Sequence, residues 1–368
     1  MRKKHFAVAV ALAGLALSVA ACGSDDDDNS STGDPTTNTP ETPATVQVDV
    51  GNGNPIELPT GELRVGWFAT ATNNEHLQAM QRTLEESADE FGWKLRVYDA
   101  AFDPAKQLNQ IQNAIQGKQI DAAIVMPVDG NLACKPVTED LPAAGILTLV
   151  HLAPICGHEV DDGPNSWEPG LLTFIGSTDN ITLNRSWINA AAELNPGPQQ
   201  VAMVMGPAIG AQAIAINAAL DAFNADNPDT EFKVVEQIET YYTTTEALEK
   251  TKALLQANKD ISLIMSVYSP DVTQGVLQAL KEAGKLGQIP VADAGATKFS
   301  VEQIKEGNIQ FTVEQRPIDL SRLSMQAILD AQQGKTVEKW IDDLPADFPS
   351  SDPLIITIDN VDDFTPQI

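Results

Sequence analysis

Cysteine is nearly absent from this 368-residue chain: three residues, too few for a disulfide scaffold. Basic residues are scarce too, 23 Lys and Arg against 51 Asp and Glu, for a formal net charge of −28. Phosphate binding needs clustered cations to displace counterions, so nucleic acid is excluded as a partner. The acidity itself serves solubility. There is no Gly-X-Ser-X-Gly, His-Glu-X-X-His or Walker signature and there are only four histidines, so the sequence offers no catalytic constellation and no cofactor motif. The longest apolar run, Ala7 to Ala21, has 15 residues and falls short of the roughly 20 needed to span a bilayer. What the chain does have is core material. Hydrophobic residues make up 43%, which excludes wholesale disorder, and the length suits about two domains.

Arg2, Lys3 and Lys4 precede the apolar run, which makes residues 1–21 a signal peptide. Val19-Ala20-Ala21-Cys22, followed by Gly23, resembles a bacterial lipoprotein lipobox. That resemblance implies a diacylated Cys22 and a membrane anchor outside the cytoplasm. Residues 22–61 then read as a disordered acidic linker, with eight acids as far as Pro59, no Lys or Arg, and few large apolar residues. Its Asp25–Asp28 string reads as a solvated charge run rather than a metal site. Beyond residue 61 lie 307 residues with 43 acids and 20 bases.

From Leu63 short apolar runs alternate with helical periods. Leu63–Phe68 predicts a strand, and Leu77, Met80, Leu84, Ala88 and Phe91 fall on one helix face that Gly92 ends. Strands are predicted at 95–98, 122–126 and 146–150, with a helix on Leu108, Ile111 and Ile115 and another ending near Gly145. The second half repeats the pattern, with strands at 201–205, 234–238 and 261–265 and helices at 211–225, 248–255 and 272–280. Apolar strands between amphipathic helices imply parallel sheets covered on both faces. The fold class is therefore α/β, with two doubly wound lobes whose strand ends converge on a ligand.

Six segments, in this order, resemble the ribose-type, class I periplasmic binding proteins of ABC importers: Thr72–Asn74, Asp103–Gln107, Asp121–Asp129, Ile175–Asn180, Gly275–Gly284 and Thr312–Pro317. The resemblance covers about residues 62–345. It implies two lobes joined by a three-strand hinge, with crossings near Gly176–Asn180, Gln315–Pro317 and Ile341–Pro353. The N-terminal lobe would be 62–177 with 316–345, and the C-terminal lobe 178–315 with 346–368. Asn74 and Gln315 match the family's pocket positions directly, and Asp293 lies one residue from the family's Asp. The family's aromatic pair is replaced by His76 and Leu77, and its Asp-Arg pair falls near His151 and Leu152. Its Arg in the second lobe falls near Ile214 or Ile216, and its Asn-Asp near Ser269 and Pro270. The sugar specificity therefore does not carry over with the fold.

The expected ligand residues are Asn74, His76, Asp293 and Gln315, followed by His151, Tyr268 and Arg316. Their donors and acceptors suit a neutral or cationic polar solute. Asn74 could instead cap the following helix, and Gln315 could satisfy hinge backbone groups. Cys134 and Cys156 form an even pair that would oxidise outside the cytoplasm. The alternatives are a metal site with His151 and His158, or free buried thiols. Trp167, in a Gly/Pro-rich loop, either lids the cleft or anchors the loop. Gly206–Gly210 either presents amides to a ligand or merely turns the chain into a helix. The expected function is a monomeric, lipid-anchored solute-binding protein, with no catalytic residue, cofactor or metal, passing a small polar solute (a sugar, polyol or similar) to an ABC transporter permease. The alternative is a ligand-sensing accessory protein that docks to a membrane receptor.

Overall fold

The computed structural model describes residues 44–159, 162–176, 181–208, 210–257, 260–341 and 355–368. The signal peptide, Cys22 and the first part of the linker lie outside the described residues.

The tether ends sooner than its composition predicts. β1 (Thr45–Val48) and β2 (Ile56–Pro59) pair antiparallel, Val46 opposite Leu58 and Val48 opposite Ile56. The turn between them is held by Asp49 Oδ1 accepting from Gly51 N and Asn52 Oδ1 accepting from Asn54 N. Val48, Val50, Ile56 and Leu58 are buried in the core of the first lobe. An apolar alternation on each side of a Gly/Asn turn was hidden inside a Thr/Pro-rich stretch.

The first lobe follows as β3 (Arg64–Ala69), α1 (Glu75–Phe91), β4 (Lys94–Asp99), α2 (Pro104–Gln116), β5 (Ala122–Val125), α3 (Gly130–Lys135), a π turn over Pro136–Asp140, α4 (Leu141–Ala143), β6 (Leu147–His151) and β7 (Phe174–Ile175). The second lobe is α5 (Ile181–Leu194), β8 (Gln199–Met205), α6 (Ala211–Asp226), β9 (Phe232–Glu239), α7 (Thr244–Ala257), β10 (Leu263–Ser266), α8 (Asp271–Glu282), β11 (Val291–Gly295), α9 (Lys298–Lys305) and β12 (Phe311–Glu314). The chain then returns as α10 (Pro317–Gln332), which packs on α1, and as β13 (Trp340–Ile341) and β14 (Ile355–Thr357).

The helices start where side chains satisfy their first amides. Asn74 caps α1 by accepting from Leu77 N at 2.9 Å, and Asp103 caps α2, where Pro104 supplies a preset φ. Gly92 closes α1 in the left-handed region (φ 70°), as the sequence predicts.

The two sheets run β13-β7-β6-β5-β3-β4 and β14-β12-β11-β10-β8-β9. All pairs are parallel except β12 with β14. Apolar residues fill both faces, with Trp67 and Phe68 fully buried in the first lobe and Trp187 and Phe311 in the second. In each sheet the strand order reverses at one point, β3/β5 and β8/β10. A doubly wound sheet opens a crevice at its carboxyl edge there. Of the three expected crossings, residues 177–180 and 342–354 lie outside the described residues. The Gln315–Pro317 crossing is described, leading from β12 of one sheet into α10 on the other lobe.

Candidate functional site

A cavity of about 310 Å³ sits where these switch points meet, lined by residues just beyond β3, β4, β5, β6, β8, β9 and β10. The first lobe contributes Thr70, the α1 start with Asn74, His76 and Leu77, Phe102, Met126–Val128, Leu152 and Ala153. The second contributes Pro207, Ala208, Gly210, Gln212, Glu239, Tyr241, Tyr242 and Tyr268. The lobes also meet directly, since Asp271 Oδ2 at the start of α8 accepts from Glu75 N at the start of α1, 3.2 Å away.

Aromatic rings form a continuous wall across the cleft. Phe102 lies 5.5 Å from Tyr242, Tyr242 is 4.8 Å from Tyr268 in an edge-on arrangement, and Tyr268 is 5.3 Å from His76. Phe102, Tyr242 and Tyr268 all have left-handed backbones (φ 58°, 57° and 53°) that turn each ring out of its strand direction. Such conformations cost non-glycine residues free energy and concentrate at functional sites. Tyr242 also requires glycine beneath it, because a Cβ at Gly206 would stand 1.8 Å from its hydroxyl oxygen.

His76 is 4% exposed, and neither ring nitrogen has a hydrogen-bond partner among the described residues. Burial pulls its pKa down to about 4, so the ring is neutral at pH 7 and offers one donor and one acceptor. His151, at the end of β6, is fully buried and does not line the cavity. Ser324 gives its hydroxyl proton to Leu320 O, so at 3.1 Å His151 Nδ1 is the donor and Ser324 Oγ the acceptor. Nε2 is thereby the unprotonated nitrogen, and it has no partner among the described residues. Burial, and then repulsion from His76, lower the His151 pKa to about 3.

Of the residues expected from the sequence, Asn74, His76 and Tyr268 line the cavity, while Asp293, Gln315, His151 and Arg316 do not. Asn74 also caps α1, so the capping alternative holds for a side chain that lines the cavity as well. Asp293 is fully buried and accepts from Thr273 Oγ1, Ser300 Oγ and Thr312 Oγ1 at 2.5, 2.6 and 2.7 Å. It ties β11 to α8, α9 and β12. Burial raises its pKa to about 6 even against those three hydrogen bonds. Arg316 is buried against Glu314, Nη2 to Oε2 3.1 Å, and Gln315 is buried beside it at the crossing. Both belong to the second hinge passage.

The remaining alternatives resolve as well. Cys134 and Cys156 are bonded, their Cα atoms 4.8 Å apart, which removes both sulfurs from any metal site. His158 is held between Asp162 and Glu168. Burial opposes its charge, but the two carboxylates outweigh it and raise its pKa above the ordinary value. Among the described residues no cluster of His, Cys, Asp and Glu could hold a metal ion. Trp167 donates to Leu171 O at 3.1 Å, covers Gly51 and carries Lys339 Nζ 4.0 Å above its ring, so it anchors the loop and does not line the cavity. In the turn before α6, Ala208 N donates to Glu239 Oε2 at 3.1 Å. That amide serves the protein rather than a ligand.

Sequence reasoning missed Phe102, Gln212, Glu239 and Tyr242. The available signal was position. Tyr241-Tyr242 follows β9, and Phe102 precedes the Asp103 cap, so both sit at carboxyl strand edges.

A family described as periplasmic binding protein domain matches residues 65–336. The ribose import binding protein of Bacillus subtilis (strain 168) is 25% identical over 280 residues, 76% of this chain and 85% of that protein. The Caulobacter myo-inositol binding protein bound to myo-inositol superposes with a TM-score of 0.68 at 22% identity, over 83% of this chain and 95% of that one. The binding protein of the arabinose ABC transporter from Shewanella sp. ANA-3 gives 0.69 at 20% identity, over 82% and 93%. These relatives are solute-binding proteins, not enzymes, and the solved structures share the two-lobed α/β fold.

Proposed function

The chain belongs to the periplasmic binding protein domain family, and on that premise we propose that it is a monomeric, lipid-anchored, extracytoplasmic protein that captures one small polar solute, a sugar, polyol or similar molecule, and delivers it to an ABC import permease. The observation that carries this reading is the cavity itself, built from strand ends of both lobes at their switch points, with a volume of about 310 Å³ that suits a single small molecule. Asn74, His76 and Tyr268 are assigned to contact the solute, joined by Phe102, Tyr242 and Gln212. Asp293, Gln315, His151 and Arg316 support the wall and the crossing. Solute binding would hold the lobes together about the three crossings, as hinge closure does in two-lobed binding proteins. Cys22 would carry the anchor, since two acyl chains suffice for stable membrane attachment.

Isothermal titration calorimetry of the purified protein against a panel of pentoses, hexoses and cyclitols tests the reading. One compound or a small set of related ones should bind one per chain. A protein that is folded by circular dichroism and binds none of the panel would refute it.

A further inference from the structure

We infer that the captured solute bears a protonated amino group, held at the Glu239–Tyr241–Tyr242 corner of the cavity. The inference rests on the solute-binding reading above and narrows it to aminated sugars or polyols. Among the described residues lining the cavity, Glu239 alone carries a formal charge, and no Lys or Arg lines it. Glu239 Oε2 accepts from Ala208 N, and Oε1 has no protein partner among the described residues. Lys250 is committed elsewhere: its Nζ donates to the backbone oxygen of Glu239 at 2.6 Å and lies 4.0 Å from Glu246 Oε1. The carboxylate therefore lines the cavity without an ion pair among the described residues.

Two buried acceptors lining the same cavity are uncommitted among the described residues. Gln212 is 4% exposed and its Oε1 has no partner, and neutral His76 offers an unprotonated nitrogen. A hydroxyl brings one donor to such a site, whereas an ammonium brings three and no acceptor. Tyr242 and Tyr268 bring two aromatic rings to the wall, edge-on to one another, and Tyr241, 56% exposed, lines the cavity with Glu239. Aromatic faces attract a cation in proportion to its desolvation. The chain's net charge of −28 raises the local concentration of cations further.

Calorimetry with matched probes tests this: D-glucosamine with D-glucose, D-galactosamine with D-galactose, and an aminocyclitol with myo-inositol. The N-acetylated sugars serve as uncharged controls of similar shape. In at least one pair the amine should bind about tenfold tighter than its hydroxyl partner, the size of one charge-assisted hydrogen bond, and N-acetylation should erase the gain. Glu239→Gln should shrink that amine-to-hydroxyl ratio about three- to tenfold. Tyr241→Leu, at an exposed position, should shrink it by a smaller factor. Glu236→Gln, on the same strand and outside the cavity, should leave the ratio as it is. Equal or tighter binding of the hydroxyl members throughout would overturn the inference and leave solute capture intact. An amine preference that survives Glu239→Gln unchanged would overturn the assigned corner. Failure of every probe to bind would overturn the sugar or polyol reading and this inference with it.

Discussion

Lowering the pH from 7 to 5 should destabilise this protein, and the buried histidines set the size of the effect. The folded state holds His76 at about 4 and His151 at about 3, against about 6.5 in the unfolded chain. A base with a depressed folded pKa contributes stability that is complete above its unfolded pKa. That stability is lost as pH falls from about 6.5 toward the folded value. Between pH 7 and 5 the unfolded histidines take up protons and the folded ones do not, which removes about 2 kcal/mol per residue. Asp293 acts in the opposite direction. Its folded pKa of about 6 lies above the unfolded value of 3.8, so its contribution grows by about 1 kcal/mol over the same interval. These three buried groups together remove about 2–3 kcal/mol, or roughly 5–10 °C in Tm for a lobe of this size. Scanning calorimetry at pH 7 and 5 reads the shift. NMR titration of the histidine ring resonances isolates its cause, because both rings should stay neutral through pH 5. His76→Gln should remove about 2 kcal/mol of the pH dependence. A Tm that is level across the interval, together with a His76 ring that titrates near 6.5, would refute the reasoning.

Three further outcomes are expected, two from the geometry and one from the proposed anchor. Gly206→Ala places a methyl group on the Tyr242 hydroxyl and should displace that ring; solute affinity by calorimetry should fall at least about tenfold, and unchanged affinity would mean that Tyr242 is not part of the wall. Asn74→Ala should cost about 1 kcal/mol of stability through loss of the α1 cap, read by chemical denaturation, whereas Asn74→Asp should keep it; equal stability of the two variants would count against the cap. Cys22→Ala, expressed in a host that processes lipoproteins, should move the protein from the membrane to the soluble fraction, and unaltered fractionation would remove the anchor from the account.

Much of the fold was legible because its signals are local. The strand end at Val125 and Met126 lies in an uninterrupted apolar run, and Gly92 stops α1 where a left-handed residue is required. The hairpin at 45–59 escaped because its Val and Ile alternation is short and sits among Thr, Pro and Asn, whose average reads as tether. The site was legible only in outline. Strand-end logic placed Asn74, His76 and Tyr268 at the cavity, but Asp293 went the other way, into a hydroxyl cluster that satisfies its carboxylate inside the lobe. Phe102 and Tyr242 owe their position in the wall to left-handed backbones. No period or composition announces such a turn, and an isolated aromatic beside a strand reads as core.

The central claim is that one small polar solute occupies the cavity between the lobes. Native mass spectrometry of protein freshly isolated under non-denaturing conditions, alongside the Gly206→Ala variant, tests it most directly. The account predicts a single adduct with the mass of one sugar-sized solute on the wild-type chain, released on unfolding and diminished in the variant. A bare wild-type chain that also stays bare across the sugar and cyclitol panel, or an adduct retained in full by Gly206→Ala, would contradict it.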